Sequence, residues 1–127
     1  MNLNQVTLPA ADLARSVAFY RRMGFRLIVD SPHYARFECP EGDATFSLHA
    51  APVEGGASGV VVYFECHDLD ARVQALMDAG IAFDRGPVDE RWLWREARLR
   101  DPHGNVLCLY HAGAHRRHPP WRVADGA

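Results

Sequence analysis

The chain has 127 residues, 48% of them hydrophobic and 24% charged, with Gly and Pro together contributing 18. That length accommodates one domain with its own core, and the composition excludes disordered, collagen-like and low-complexity chains. A formal charge of −2 offers no basic face of the kind that nucleic acid or an anionic membrane requires, so neither is expected as a partner.

The three cysteines, Cys39, Cys66 and Cys108, are odd in number and lack paired spacing. This argues against a disulfide framework and for a reducing, cytoplasmic setting. The opening Met1-Asn2-Leu3-Asn4-Gln5 has no basic segment followed by an apolar one, so no secretion signal is expected. No run approaches the roughly 20 apolar residues of a membrane-spanning helix. All 14 basic residues are arginine, which excludes lysine-dependent chemistry such as Schiff-base formation.

In chain order, an opening strand gives way at Asp12, a helix cap, to a helix whose Leu13, Val17 and Tyr20 share one face and which stops at Gly24. Two later runs, Ala35-Arg36-Phe37 and Phe46-Ser47-Leu48-His49, flank a Pro40-x-Gly42 turn and read as a hairpin. The Gly- and Pro-rich stretch 51–59 reads as a linker. A strand over Val60–Cys66 then leads to a second cap at Asp68 and a helix carrying Leu69, Val73 and Leu76, stopped by Gly80. Asp12-Leu13, Val17 and Gly24 thus recur as Asp68-Leu69, Val73 and Gly80 at an offset of 56. Ala35-Arg36-Phe37 matches Ala97-Arg98-Leu99, and Pro40-x-Gly42 matches Pro102-x-Gly104, both at offset 62; Phe46–His49 matches Leu107–Tyr110 at offset 61. Three matched segments in one order mark an internal duplication. The expected organisation is a single domain over 1–127, with module one at 3–50, linker 51–59, module two at 60–112 and a tail at 113–127. Each module reads strand, helix, strand, strand, strand, an α+β pattern.

Asp12-Leu13-Ala14-Arg15-Ser16-Val17-Ala18-Phe19-Tyr20 near the start and Asp101-Pro102-His103-Gly104-Asn105 near the end resemble the vicinal-oxygen-chelate superfamily. That group contains glyoxalase I, bleomycin- and fosfomycin-resistance proteins and extradiol dioxygenases. The resemblance spans about residues 3–112. It implies two βαβββ modules forming a curled mixed sheet around a cavity, with helices outside, often completed across a homodimer. It does not choose among isomerases, transferases, dioxygenases and drug binders, which share the scaffold.

Alternation assigns the sheet faces. In the strand from Val60, the apolar set Val60, Val62, Phe64 and Cys66 belongs under the helix, leaving Val61, Tyr63 and Glu65 on the concave face. Ala97 and Leu99 likewise point to the helix, and Trp94, Glu96 and Arg98 point inward. The repeat adds Tyr34 and Arg36, with Ser47, His49, Cys108 and Tyr110 from the closing strands. Leu3, Gln5 and Thr7 join them by resemblance. Metal-using members of the superfamily place one ligand on the first and one on the last strand of each module, and the matching positions are Gln5, Ser47, Val61 and Cys108. Only Gln5 is an acceptable oxygen donor, Val61 is no ligand, and a soft thiol replaces the usual carboxylate. A catalytic divalent site wants about three strong protein ligands, so no metal and no cofactor are expected. A Gln5–His49–Cys108 set remains the alternative. His103 is expected to be solvated in its turn. His67 flanks a cap, and His111, His115 and His118 match no zinc motif. The tail, with Arg116-Arg117 and Trp121, is expected to pack on its own surface or on a partner.

Without a metal, the inward set Tyr34, Arg36, His49, Tyr63, Trp94, Glu96, Arg98, Cys108 and Tyr110 describes a small-molecule pocket. Its aromatic rings form flat walls, its arginines fit an anionic group, and its acids accept from amines or hydroxyls. Glu65 and Glu96 read equally as ion-pair partners of the arginines. Cys108 reads either as a nucleophile activated by Arg98 or as a buried filler. Three functions follow. The expected one is a metal-independent protein, homodimeric and cytoplasmic, that holds an aromatic or anionic ligand. The second is a metal-dependent lyase, isomerase or dioxygenase with an atypical site, using Glu96 or His49 as acid–base group. The third is a structural or regulatory dimer with no ligand.

Overall fold

Two capped helices and eight strands are laid out twice in the same order in the computed structural model, which describes residues 1–53 and 56–124. In module one, β1 (Gln5–Ala10) leads to α1 (Leu13–Arg22), followed by β2 (Arg26–Asp30), β3 (Tyr34–Glu38) and β4 (Thr45–Ala50). In module two, β5 (Val61–Glu65) leads to α2 (Leu69–Asp78), followed by β6 (Arg85–Asp89), β7 (Arg95–Arg100) and β8 (Val106–His111). Asp12 and Asp68 cap the helices as expected. Their Oδ1 atoms accept from Arg15 N at 3.0 Å and Ala71 N at 3.2 Å, satisfying amides that have no partner inside the helix. Gly24 and Gly80 end the helices at φ +97° and +90°, where a Cβ would be strained.

Each module folds into a four-stranded mixed sheet, ordered β1-β4-β3-β2 and β5-β8-β7-β6. The first and last strands of a module pair in parallel, and the remaining pairs are antiparallel. The α+β arrangement of two βαβββ modules is as the sequence predicts, but the curled sheet is divided into two sheets that do not join. The duplication extends to an irregularity: register shifts between Leu27 and Val29 in one module and between Arg85 and Val88 in the other. Pro87 is tolerated there because β6 is an outer strand. Residues 54–55 of the linker and 125–127 of the tail lie outside the described residues. Among the described residues, no helix is long and apolar enough to cross a membrane.

The alternation read from the sequence holds within the strands, but Val60, expected under the helix, lies before β5 and is exposed. Ala35, Phe37, Phe46 and Leu48 of one sheet and Val62, Ala97, Leu99, Leu107 and Leu109 of the other are buried on the helix side. They form one apolar cluster that spans both modules. Phe64 lies edge-on to Phe25 at 5.3 Å and to Phe46 at 5.9 Å between centroids. The modules therefore meet through their helix-bearing faces, leaving the opposite faces outside the shared core.

A buried polar hub completes the junction. Asp101 Oδ2 accepts from Tyr20 Oη at 2.7 Å and from Asn105 Nδ2 at 2.9 Å. Its Oδ1 accepts from the His103 and Asn105 amides, and Asn105 Nδ2 also donates to the Pro9 carbonyl. Helix α1 is thus tied to the turn before β8. Burial, reinforced by the Asp101 charge, raises the Tyr20 phenol far above its ordinary range. His103 sits in its turn as expected, half-buried, with both ring nitrogens engaged. Its Nδ1 accepts from Ala11 N at 2.9 Å, which leaves the proton on Nε2 to donate to the Gly56 carbonyl at 2.7 Å.

Asp101→Ala strips four hydrogen bonds, three of them from the buried Tyr20 and Asn105, and is expected to cost about 3–5 kcal/mol in urea denaturation. Tyr20→Phe, which leaves Asp101 its other partners, is expected to cost about 1–2 kcal/mol. A loss below about 1 kcal/mol for Asp101→Ala would remove the hub from the stability of the fold.

Candidate functional site

Alternation places a polar and aromatic set on the face of each sheet opposite its helix. In module one, Tyr34, Arg36 and Ser47 come together. Tyr34 Oη shares a hydrogen bond with Ser47 Oγ at 2.6 Å and accepts from Arg36 Nε at 3.0 Å. The bond with Ser47 and then the Arg36 guanidinium outweigh desolvation and hold the Tyr34 phenol below its ordinary value. His49 stands opposite Tyr34 in the ladder but is exposed, with Nδ1 near its neighbour's carbonyl. Gln5 spends its side-chain oxygen on Thr45 Oγ1 at 2.7 Å.

Module two carries the denser cluster. Trp94 and Tyr110 stack with centroids 4.5 Å apart and planes 16° from parallel, and Tyr63 meets both edge-on at 6.0 and 5.7 Å. Beneath them Glu96 is 1% exposed. Its Oε2 accepts from Trp92 Nε1 at 2.7 Å and its Oε1 from Arg98 Nη2 at 3.2 Å. The same Nη2 lies 3.4 Å from Tyr63 Oη, and the guanidinium sits over the Tyr63 ring. Desolvation pulls Arg98 down, but Glu96 and its other acidic neighbours win, holding it above its ordinary value. A buried carboxylate tolerates its surroundings only when paired in this way. No hydrogen bond engages Nε or Nη1 of Arg98 among the described residues.

Cys108 is fully buried, with Sγ 3.6 Å from Glu96 Oε1. Burial, then the Glu96 charge, push its thiol up to about 12 despite Arg98. A neutral thiol at this depth is a poor nucleophile, so of the two readings of Cys108 the buried filler is the one the surroundings favour.

Several residues take partners that alternation does not reveal. Glu65 is committed to the tail: Oε2 accepts from the Ala112 and Gly113 amides at 2.8 and 2.9 Å, and Arg116 lies 3.7 Å from Oε1. It pins the short 3-10 turn Gly113–Arg116. Trp92 joins the site from the β6–β7 turn, beside Leu93, whose φ of +68° is strained for a residue with a Cβ. Arg85 and Glu90, paired with each other, line a recess of about 410 Å3 with Trp92, Glu96 and Arg98. They escape a simple alternation rule because a register shift separates Arg85 from the regular pairing of Val88 and Asp89, and Glu90 lies beyond the end of β6.

The four positions that hold a metal in metal-using relatives do not fit one here. Gln5 is bonded to Thr45, Ser47 to Tyr34, Val61 has no donor, and Cys108 keeps its proton. His49 and Cys108 lie on separate sheets. Among the described residues, no three His, Cys, Asp or Glu side chains gather as a metal site.

Paired βαβββ modules with polar, aromatic-lined faces opposite their helices define the scaffold of glyoxalases and bleomycin-resistance proteins. The chain belongs to the Glyoxalase/Bleomycin resistance protein/Dioxygenase superfamily, whose family profile matches residues 2–109. It is similar in fold to a glyoxalase/bleomycin resistance protein/dioxygenase from Nocardioides, at 23% identity and TM-score 0.75, over 98% of this chain and 90% of that one. It also resembles a bleomycin-binding protein complexed with bleomycin (24% identity, TM-score 0.70, 87% of this chain and 98% of that one). A third likeness is to lactoylglutathione lyase from Agrobacterium tumefaciens (20% identity, TM-score 0.71, 87% and 92%). No curated protein matches the sequence.

The raised Cys108 thiol gives a signed pH dependence. Below the ordinary thiol value of 9.0 the folded and unfolded chains both keep the proton; between there and about 12 only the folded chain does. Stability is therefore expected to fall as pH rises through that window. Cys108→Ala should flatten the fall, measured by urea denaturation at pH 8 and pH 10.5. An unchanged pH slope in the variant would contradict the assignment.

Proposed function

We propose that the chain is a small-molecule-binding protein that works without a metal and holds a planar aromatic ligand with an anionic group. The observation that carries this reading is the juxtaposition of the Trp94–Tyr110 stack and Tyr63 with Arg98, whose Nε and Nη1 carry no hydrogen bond among the described residues. The rings supply flat apolar contact, and Nε and Nη1, which lie on either side of Cδ, each offer a separate charged donor to an anionic oxygen. Glu96 acts as a positioning residue: its Oε1 accepts from Arg98 and its Oε2 from Trp92, which orients the guanidinium toward the rings. His49, exposed at the rim of module one, and Tyr34 with Arg36 belong to the ligand surface contributed by that module.

Each sheet presents its polar face outside the shared core, so neither is roofed by the other module of the same chain. A homodimer in which module one of one copy faces module two of the other would enclose the ligand, with Arg36 and Arg98 on opposite walls. The thiols of Cys39, Cys66 and Cys108 are all free, which suits a cytoplasmic setting. Of the similar structures, the bleomycin-binding protein supports a binding role for this scaffold.

Thermal-shift screening with planar aromatic carboxylates, naphthalene-2-carboxylate among them, is expected to find stabilisers, since a ligand at 100 times its Kd contributes about 2.7 kcal/mol. Calorimetric titration of Trp94→Ala and Arg98→Met with the best of them should show affinity at least tenfold weaker, in line with about 1.5–3 kcal/mol for a charged hydrogen bond. Wild-type affinity in both variants, or no stabiliser in the set, would reject the reading.

A further inference from the structure

The helix-bearing faces of the two modules do not close completely. Between the edge strands β1 and β5 they leave a cavity of about 310 Å3. Met23, Phe25 and Phe46 of module one face Phe64 and Leu76 of module two across it. For scale, a dry cavity of about 150 Å3 lined by apolar side chains suffices for benzene.

We propose that this seam, whose border shares Tyr63 with the aromatic cluster of module two, is a second binding site for an uncharged aromatic or alicyclic molecule about the size of naphthalene. The chemistry of its border sets the class. Three charged groups reach it, and each has an oppositely charged or amide partner beside it. Arg72 of α2 and Glu41 of the β3–β4 turn pair with each other across the module boundary at 3.6 Å. Glu65 is held by two tail amides and Arg116. A charged ligand entering here would break the Arg72–Glu41 pair and meet a like charge in one of its members. An uncharged one leaves the pair intact and replaces empty space with dispersion contacts from the Phe25, Phe46 and Phe64 rings. Two thiols, Cys39 and Cys66, also line the cavity, and burial raises both above the ordinary thiol value, as a weakly polar interior does. The recess beside Glu96 has the opposite character, with four of its five lining residues charged.

The arrangement supplies its own reporter. Cys39 and Cys66 sit in the seam, while Cys108 lies on the concave side of β8. Alkylation of the full chain by iodoacetamide, mapped by mass spectrometry, reads the sites separately. Saturating 2-naphthol, uncharged at pH 7.5, is expected to slow labelling of Cys39 at least threefold and leave Cys108 unchanged. Naphthalene-2-carboxylate at the same concentration should not protect Cys39, whatever it does on the concave face. Ala44→Trp, a substitution at an exposed position that borders the cavity, should abolish the protection with the circular-dichroism spectrum intact. Trp94→Ala, at a residue that does not itself line the cavity, should retain it. The proposal is overturned if 2-naphthol gives no protection, if the carboxylate protects Cys39 equally, or if protection survives Ala44→Trp. It is also overturned if Trp94→Ala removes the protection, which would place the probe on the concave face. None of these results depends on whether the concave face binds its own ligand.

Discussion

Phe64 projects from the helix side of β5 and meets Phe25 and Phe46 edge-on. Around that contact the apolar residues of both sheets merge into one cluster. Burial of this surface is the dominant favourable term in a domain of this size, and it determines which faces are left over. Because the helix-bearing faces are consumed in holding the modules together, the polar faces cannot also be buried against one another within the chain. The Asp101 hub, with Tyr20 from α1 and Asn105 reaching the Pro9 carbonyl, fixes the same junction with directional bonds. The seam cavity between β1 and β5 is the residue of this arrangement, where two duplicated surfaces meet without complete interdigitation.

The polar faces are organised by what their side chains do for each other. Glu96 is the clearest case. A carboxylate buried to this extent requires partners, and Trp92, Arg98 and the Cys108 thiol surround it. In doing so it fixes the guanidinium that faces the aromatic stack and keeps the thiol protonated. Module one shows a lighter version of the same economy in Tyr34, Ser47 and Arg36. Among the four positions that would hold metal donors on this scaffold, Val61 has no donor atom, and Gln5, Ser47 and Cys108 hydrogen-bond to neighbours.

The duplication was legible because it is written in local signals: capping aspartates, terminal glycines and turn prolines repeat at nearly constant offsets. Face assignment was legible for the same reason, since strand alternation depends only on the pleat. Ala97 and Leu99 are buried under the helix, and Glu96 and Arg98 face the other way. Partner choice was not legible. Glu65 reads as a ligand contact until the tail folds back onto it, and His103 reads as a solvated turn residue until Ala11 and Gly56 reach it from distant parts of the chain. The division into two unjoined sheets was hidden too, because duplicated modules offer similar surfaces to each other and to a second copy.

The most direct test of metal-independent recognition is the metal content of tag-free protein, purified without chelators and dialysed against metal-depleted buffer. Inductively coupled plasma mass spectrometry is expected to find far less than one equivalent of any transition metal per chain, with affinity for the aromatic carboxylate unchanged by added divalent cations. One tightly retained equivalent per chain, or ligand affinity that appears only when the ion is restored, would contradict it.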